Sequence, residues 1–187
     1  MRPAALLVLS LIPAVALAMK DPPVDDAHWS KKYDGMFRKY AKHYFGPHVD
    51  WKWFKAQAIA ESNLKPAARS PTGAVGIMQI LPSTFREIKK QNPYVLDIRT
   101  PRWNIAAGIY YDRKMYLNWR NKGLTTDERL AYAFGSYNAG FGGLRKAYRK
   151  ASSVNATVST WEEVAPYAPR ETRKYVKRIR GLMRKSG

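Results

Sequence analysis

Apolar side chains recur at intervals of three and four residues in several segments of the chain, which is the spacing of one face of an α-helix. The clearest case is an aromatic stripe near the N-terminus, made of Trp29, Tyr33, Phe37, Tyr40 and Tyr44. Gly46 and Pro47 follow this stripe and end the predicted helix. No segment sustains the alternation of apolar and polar residues that a half-buried strand requires. The sequence therefore predicts an all-α fold.

Start and stop signals divide the rest of the chain into further predicted helices. Capping residues mark several starts, because Ser, Thr and Asp side chains accept hydrogen bonds from the first free backbone amides of a helix. Proline or glycine marks several ends or beginnings. The predicted helices run from Asp50 to 63–66, from Pro82 onward, from Trp103 to Trp119, from Thr125 (with Glu128) to Gly140, from Thr160 (with Glu163) onward and from Pro169 to Arg184.

Residues 1–18 predict a secretory signal peptide. Arg2 precedes an apolar run over 4–18 that ends in the small-x-small pattern Ala-Leu-Ala, and cleavage is expected after this pattern. The run is shorter than the roughly 20 apolar residues that span a bilayer, and Pro13 interrupts it, so no transmembrane anchor is expected. The protein is therefore expected to be exported, either to the periplasm or out of the cell.

The remaining length is typical of one domain. After a polar lead segment at 19–25, residues 26–187 are long enough to bury a core of their own. The chain has no cysteine, which excludes a disulfide framework, a thiolate zinc site and a cysteine nucleophile. His28, His43 and His48 lack the paired spacing of metal ligands. We expect a monomer with no metal and no cofactor.

The charge balance predicts an anionic partner. Lys and Arg number 33 against 14 Asp and Glu, giving a net charge of +19. Export argues against nucleic acid and leaves an acidic cell-wall or cell-envelope polymer. The segment from Arg170 to Gly187 holds eight of the cations and one Glu. It is either an ordinary solvated helix face or a surface that docks on the anionic cell envelope.

Glu61 lies near the C-terminal end of the second predicted helix, among mostly apolar neighbours. The negative end of the helix dipole and the apolar surroundings both disfavour a carboxylate, so both raise its pKa. A carboxylic acid that stays protonated near neutral pH is suited to general acid catalysis. From these residues alone, a solvated glutamate at a helix end is the commoner interpretation.

Three motifs in a fixed order change that interpretation. The first comprises Glu61-Ser62, Ser70, Gly73-Ala74, Gly76, Met78-Gln79 and Pro82. The second is AYAFGSYNAG at 131–140 and the third is PRETRKYVKRI at 169–179. The ordered set resembles the soluble lytic transglycosylase family, whose members share their fold with goose-type lysozymes. The resemblance covers about residues 40–180 and implies a predominantly helical α+β, lysozyme-like catalytic domain of the SLT type over 26–187.

The resemblance also assigns roles to eight residues. Glu61 would be the catalytic acid and base, Met78 would pack against a sugar ring, and the Tyr137 hydroxyl would lie near Glu61. Structural interpretations are available for Met78 as core filler, Asn138 as a helix C-cap and Glu171 as a partner of the helix dipole. The full set of implied substrate-binding residues is Ser70, Met78, Gln79, Tyr137, Asn138, Glu171 and Tyr175.

The implied reaction is cleavage of the β-1,4 bond between N-acetylmuramic acid and N-acetylglucosamine in peptidoglycan glycan strands, with formation of 1,6-anhydromuramoyl ends. Two alternatives remain open. One is a muramidase-type hydrolase on the same fold, for which Asp97 or Asp112 would be the second carboxylate. The other is a catalytically idle peptidoglycan-binding factor of a secretion or conjugation apparatus.

Two further patterns in the sequence are weaker indications of function. Tyr94, Tyr111 and Tyr167 are further candidates to line a sugar groove, since aromatic faces stack on pyranose rings. The run Gly-Phe-Gly-Gly at 140–143 is not a phosphate-binding loop, because it follows a predicted helix and no Lys-Ser or Lys-Thr comes after it.

Overall fold

The computed structural model describes residues 29–185, so the signal peptide and the polar lead segment expected at 1–25 lie outside the described residues. Within the described residues the chain forms eight α-helices. They are α1 (Asp34–Phe45), α2 (Lys52–Ser62), α3 (Pro82–Gln91), α4 (Pro101–Asn118), α5 (Thr126–Ala139), α6 (Phe141–Ser152), α7 (Trp161–Val164) and α8 (Arg170–Lys185). The only β-type pairing in this range is two isolated bridges, Arg69 with Val75 and Val75 with Ile80. The predicted all-α fold is confirmed.

Side-chain caps set several helix starts where the sequence predicted them. The Asp50 carboxylate accepts a hydrogen bond at 2.9 Å from the backbone N–H of Lys52, the first residue of α2. The Thr160 and Glu163 pair forms a complete capping box before α7, with the Glu163 carboxylate accepting from the Thr160 N–H at 2.8 Å. These bonds satisfy amides that have no partner inside the helix, so the chain turns sharply into each helix.

Two stretches differ from the sequence-based expectation. The aromatic stripe is not one helix, because a 3₁₀ turn at Lys31–Tyr33 precedes α1 and Trp29 lies before that turn. Helix α6 was not predicted, since its first turn contains two glycines, which are poor helix formers. It forms because Leu144, Ala147 and Ala151, spaced at three and four residues, bury one face against the core.

Helices α4 and α5 form the centre of the domain and pack against each other. Helix α1 covers α4, while α6 and α8 cover α5, and α2 lies against α1 and α8. The largest fully buried side chains are Trp119, Tyr132, Phe37, Phe54 and Phe134, together with Lys55. Because α2 and α8 are in contact, residues from opposite ends of the chain meet at their interface.

A partly buried ion pair joins α1 to α2. The Lys55 ammonium lies 2.5 Å from the Asp34 carboxylate and also donates to the Trp29 carbonyl oxygen at 3.2 Å. The Trp29 and Trp51 rings lie beside the ammonium, with centroids 5.1 and 5.7 Å away. A charge of this kind is tolerated in the core only because several groups replace its lost hydration.

Candidate active site

Glu61 lies in the last turn of α2 and is half-buried. The helix ends one residue later, at Ser62, because Asn63 and Leu64 adopt left-handed backbone conformations, with φ of 52° and 61°. The Asn63 N–H still bonds the Ile59 carbonyl oxygen at 3.0 Å, as is typical of a helix C-terminus. This reversal leaves the Glu61 carboxyl at the end of the helix, beside the loop that follows it.

The nearest partner of Glu61 comes from α8. The Tyr175 hydroxyl donates a hydrogen bond to Glu61 Oε1 at 2.6 Å. Arg178, almost one turn further along α8, donates to the Asn63 side-chain oxygen at 3.2 Å and acts on Glu61 through its positive charge. Helix α8 therefore brings both a hydroxyl donor and a cation to the end of α2.

Burial raises the pKa of the Glu61 carboxyl from its ordinary 4.5 to about 7, although the Tyr175 hydrogen bond and the Arg178 charge both act to lower it. Desolvation is the largest effect because it removes the water that would stabilise the carboxylate. The direction agrees with the sequence-based expectation. A carboxyl with a pKa near neutrality can both donate and accept a proton at working pH.

The hydrogen-bond partner of the Tyr137 hydroxyl is not Glu61. Its hydroxyl donates to the Met78 carbonyl oxygen at 2.7 Å, and its ring meets the Tyr111 ring edge-on with centroids 5.3 Å apart. Burial raises its pKa well above the usual value, and the charge of Glu61 is the next largest cause. The hydroxyl is therefore close enough to sense Glu61, but it is bonded to the backbone of the loop between α2 and α3.

That loop is held by Asn104, a residue that the sequence did not single out. Asn104 is fully buried in α4, and its side-chain oxygen accepts from the Met78 N–H at 2.7 Å. Its amide nitrogen donates to the carbonyl oxygens of Val75 and Ile98, both at 2.8 Å. The one feature of the sequence that could have indicated this role is that Asn104 is a polar residue within the apolar run of α4.

Gly76 and Ser62 complete the support of the loop. A Cβ atom at Gly76 would lie 2.5 Å from the Asn104 side-chain nitrogen, and the backbone there has a φ of +81°. Only glycine combines this conformation with so close an approach. Ser62, next to Glu61, donates to the Ile77 carbonyl oxygen at 2.8 Å, so the loop is tied to the end of α2 as well.

Ser70 and Gln79 lie on this loop with partly exposed side chains. The Ser70 hydroxyl accepts from the Ala74 N–H at 3.0 Å and lies 2.8 Å from the Thr72 hydroxyl. The Gln79 amide donates to the Gly76 carbonyl oxygen at 2.9 Å, and Gln79 has a left-handed φ of 44°. Such a conformation is strained for a side-chain-bearing residue and is often found in functional loops.

Met78 lies in the core and not on the surface of the site. Its side chain is fully buried, and a Cβ at Gly108 of α4 would come within 2.7 Å of it. In this arrangement the side chain does not reach a sugar ring, so the expected direct contact is replaced by core packing. Met78 contributes to the site through its backbone, which bonds Tyr137 and Asn104.

Asn138 and Glu171 lie where α5 meets α8. The Thr172 hydroxyl donates to the Asn138 side-chain oxygen at 2.7 Å, which ties the end of α5 to the start of α8. Glu171 is exposed in the first turn of α8, where its charge is favourable for the helix dipole. It precedes Tyr175 by one turn and shares its side of the helix.

The two aspartates considered as a second carboxylate lie in opposite environments. Asp97 accepts from the Arg99 backbone N–H at 3.0 Å on an exposed turn, which lowers its pKa. Asp112 is fully buried in α4 and accepts from the Gln57 amide at 3.1 Å. Burial raises the pKa of Asp112 well above its usual value, and the charge of Glu61 raises it further.

The other candidates are more scattered. Tyr111 packs on Tyr137 within the site, whereas Tyr94 is exposed in a turn after α3 and Tyr167 is exposed at the end of a short 3₁₀ helix, Ala165–Tyr167. Within residues 29–185 no group of three or more His, Asp and Glu side chains is arranged to hold a metal ion. In the same range no helix has the length and apolar character to cross a membrane. His28 lies outside the described residues.

Known proteins with similar sequences and structures include bacterial murein enzymes. Membrane-bound lytic murein transglycosylase F of Shewanella halifaxensis is 33% identical over 150 residues, which is 80% of this chain and 29% of that protein. The 70-kDa soluble lytic transglycosylase of Escherichia coli has a TM-score of 0.63 and 26% identity, over 80% of this chain and 23% of that one. A complex of a 70-kDa soluble lytic transglycosylase with bulgecin A has a TM-score of 0.64 and 26% identity, over 81% and 23% of the two chains.

This chain thus spans less than a third of the length of each of these relatives. The similarity to the solved structures confirms the helical, lysozyme-like fold. The sequence model of the transglycosylase SLT domain matches residues 36–159, which include Glu61 and the loop after it but not α8. Because this match covers more than half of the sequence, the chain belongs to the transglycosylase SLT domain family.

Proposed function

We propose that this protein is a peptidoglycan lytic transglycosylase with Glu61 as its catalytic acid and base. The observation that carries this proposal is the Glu61 carboxyl itself, half-buried at a helix end with a pKa raised to about 7. Family membership and relatives that are named lytic transglycosylases support the reaction class and the murein substrate.

The reaction needs only one carboxyl. Protonated Glu61 gives its proton to the oxygen between N-acetylmuramic acid and N-acetylglucosamine, and the bond from C1 of the muramic acid to that oxygen breaks. The substrate's own 2-acetamido oxygen stabilises the positive charge at C1, a substrate-assisted route used by some glycosidases. The Glu61 carboxylate then takes the proton of the C6 hydroxyl of the same sugar, whose oxygen bonds C1 and closes the 1,6-anhydro ring.

A mechanism with a single carboxyl fits the environments of the two aspartates considered as a second carboxylate. Asp112 has no exposed surface, so it does not meet substrate or a water that attacks substrate. Asp97 is occupied by Arg99. A conventional hydrolase would need a second carboxyl as base or nucleophile, and neither aspartate is placed to serve as one, which makes hydrolysis the less favoured alternative.

The remaining side chains support Glu61 and the glycan in different ways. Tyr175 orients the Glu61 carboxyl through its hydrogen bond. Ser70 and Gln79, which are partly exposed on the loop after α2, bind polar groups of the sugar. Asn138 and Glu171, at the junction of α5 and α8, bind further polar groups of the glycan. Tyr137 fixes the loop between α2 and α3 through its hydrogen bond to the Met78 carbonyl oxygen.

Digestion of purified sacculi tests the reaction. Wild-type protein is expected to release muropeptides that mass spectrometry shows to be one water lighter than hydrolysed products. A Glu61→Gln variant keeps the shape but lacks the acid, and it should lose about 10²- to 10⁴-fold in rate. Asp127→Asn, at an exposed position in the first turn of α5, is the control and should keep full activity.

Two outcomes would refute the proposal in different ways. Products with only reducing-end muramic acid would identify a hydrolase. Binding to sacculi without any release by the wild type, or equal release by wild type and Glu61→Gln, would identify a protein whose Glu61 is not catalytic.

Export through a signal peptide at 1–18, followed by attachment to the anionic cell envelope, is the second part of the proposal. Arg180 of α8 is neutralised by Glu128 at 2.9 Å and Glu162 at 2.6 Å. Other cations of this helix have exposed side chains and remain open to an anionic surface, namely Arg170, Arg173, Lys174, Lys177 and Arg184.

Charge reversal tests this attachment in the inactive Glu61→Gln background, so that the sacculi stay intact. Replacing Arg173, Lys174 and Lys177 by Glu should weaken binding, and the loss should shrink as salt screens the attraction. The matched control replaces three exposed cations of α3 by Glu, namely Arg86, Lys89 and Lys90. Equal losses from both triple variants would show that net charge, and not the α8 surface, governs attachment.

A further inference from the structure

A buried polar pair joins α2 to α4 beneath the candidate site. Gln57 and Asp112 both have no solvent-exposed surface, and the Gln57 amide nitrogen lies 3.1 Å from Asp112 Oδ1. Gln57 precedes Glu61 by four residues, so the two side chains project from the same side of α2 on successive turns. The pair therefore fixes the helix one turn before the proposed acid.

Each member of the pair keeps one oxygen without a partner. Gln57 Oε1 and Asp112 Oδ2 are both buried and make no hydrogen bond within the described part of the chain. With an ionised Asp112, both atoms are acceptors, and each would carry the full cost of lost hydration. A proton on Asp112 Oδ2 changes this, because it supplies the donor that the Gln57 carbonyl oxygen lacks.

The surroundings also favour the protonated form. Burial is the main cause that raises the pKa of Asp112, and the Gln57 hydrogen bond only partly opposes it. The titratable groups that act on Asp112, or on which Asp112 acts, all bear a negative charge when they ionise; they are Glu61 of α2, Tyr111 of α4, Tyr137 of α5 and Tyr175 of α8.

We propose that Asp112 is a neutral carboxylic acid that forms a reciprocal hydrogen-bonded pair with Gln57 and acts as a positioning residue for Glu61. The proposal rests on the proposed function of Glu61. The pair holds α2 against α4 and adds no negative charge beside the acid. An ionised Asp112 would instead repel the carboxylate that Glu61 becomes after it donates its proton, and would hinder that step.

The conservative variant Asp112→Asn is the first test. An asparagine carboxamide can exchange two hydrogen bonds with Gln57, just as a neutral acid can, and the substitution changes no charge if Asp112 is protonated. We expect kcat to stay within about twofold of wild type and the alkaline limb of the pH–rate profile to stay in place. A limb shifted to lower pH would show that Asp112 is ionised, and a loss as large as that of Glu61→Gln would make it catalytic.

Asp112→Leu is the contrasting variant, because it leaves the Gln57 amide buried with no partner. A loss of about tenfold or more in kcat is expected, since small displacements of a catalytic group are costly. Recovery in Asp112→Asn separates positioning from chemistry. Wild-type kcat in Asp112→Leu would overturn the positioning role.

Infrared spectroscopy tests the protonation state without any reference to activity. Glu61→Gln removes the carboxyl of Glu61, so at neutral pH a carbonyl stretch of a protonated carboxylic acid should remain and should vanish in the Glu61→Gln, Asp112→Asn double variant. Absence of the band in Glu61→Gln would overturn the neutral assignment. This readout applies even if Asp112→Leu does not fold, and its result is independent of whether the protein cleaves peptidoglycan.

Discussion

The Tyr175 hydroxyl donates a hydrogen bond to Glu61 at 2.6 Å, although the two residues are 114 positions apart in the chain. This bond favours the ionised carboxylate, whereas burial favours the neutral acid. Burial is the stronger effect, and the pKa of Glu61 is about 7. The opposition of the two effects leaves Glu61 close to the point where it gives and takes a proton with equal ease.

Removal of the Tyr175 hydroxyl should shift the pH dependence of the reaction. In Tyr175→Phe the carboxylate loses a donor, so the pKa of Glu61 rises above about 7. Since the first step needs the protonated acid, the alkaline limb of kcat/KM should move to higher pH. The rate itself should fall by about tenfold or more because the carboxyl is no longer held in place.

Tyr110→Phe is the matched control, because the exposed Tyr110 hydroxyl donates to Gln91 of α3 at 3.2 Å and not to Glu61. It should leave both the rate and the profile unchanged. An alkaline limb that moves to lower pH in Tyr175→Phe would contradict the assigned direction of the hydrogen bond's effect.

The raised pKa of Glu61 also predicts a pH-dependent cost in stability. The carboxyl ionises near pH 4.5 when unfolded and near 7 when folded. Its neutral form therefore favours the folded state at low pH, and this contribution is lost as the pH rises through about 7. By linkage, the free energy of unfolding of Glu61→Gln should increase relative to that of wild type as the pH rises over this range. This gain is at most about 3 kcal/mol.

Urea unfolding of both proteins at pH 5 and pH 8 measures this gain, with Asp127→Asn as a control for loss of an exposed carboxyl. A difference between Glu61→Gln and wild type that does not depend on pH would mean that the folded protein does not hold Glu61 in its neutral form.

Substitutions at Gly76 and Gly73 separate two contributions to the stability of the loop, namely backbone strain and overlap of a Cβ atom with its neighbours. Both have a positive φ, of +81° and +85°, but a Cβ has open space at Gly73 and meets the Asn104 side chain at Gly76. Gly73→Ala should cost only the backbone strain, about 1 kcal/mol of unfolding free energy. Gly76→Ala adds the overlap and should cost about 2–4 kcal/mol in total.

Thermal or urea unfolding of the two variants checks this difference. Gly76→Ala should also reduce activity, since the same loop carries Gln79. Equal costs at the two positions would show that Asn104 is free to move away, and that it does not brace the loop.

The ion pair of Lys55 and Asp34 should contribute substantially to the free energy of unfolding. Asp34→Asn leaves the buried Lys55 ammonium without its carboxylate, and such a loss typically costs about 3–5 kcal/mol. Denaturant unfolding at neutral pH measures the effect. Replacing both residues, as in Lys55→Met with Asp34→Asn, should recover much of the loss, and an Asp34→Asn variant as stable as Asp127→Asn would refute the role of the pair.

Helices could be predicted wherever their signals are local. The capping box of Thr160 and Glu163 and the cap at Asp50 involve residues within four positions of each other, so their hydrogen bonds depend little on the rest of the chain. Helix α6 escaped prediction because its stability comes from burial of Leu144 and its neighbours, whereas its own first turn contains two poor helix formers.

The acid could also be found from the sequence, but its surroundings could not. Glu61 stands out by its motif and by its place at the end of an apolar helix. The sequence alone does not distinguish Tyr137 from Tyr175 as its hydrogen-bond partner, and nothing local indicates that Asn104 holds the loop or that Asp112 faces Gln57.

The sequence by itself determined the all-helical class, most helix boundaries and the one carboxyl on which the proposed chemistry depends, because each follows from residues close together in the chain. Only the tertiary structure decided that Tyr175 bonds Glu61, that Met78 is buried and that Asp112 lies beneath the site. These relationships depend on how α2 packs against α8 and how α4 supports the loop. Burial, which sets the pKa of Glu61, exists only once those helices have come together.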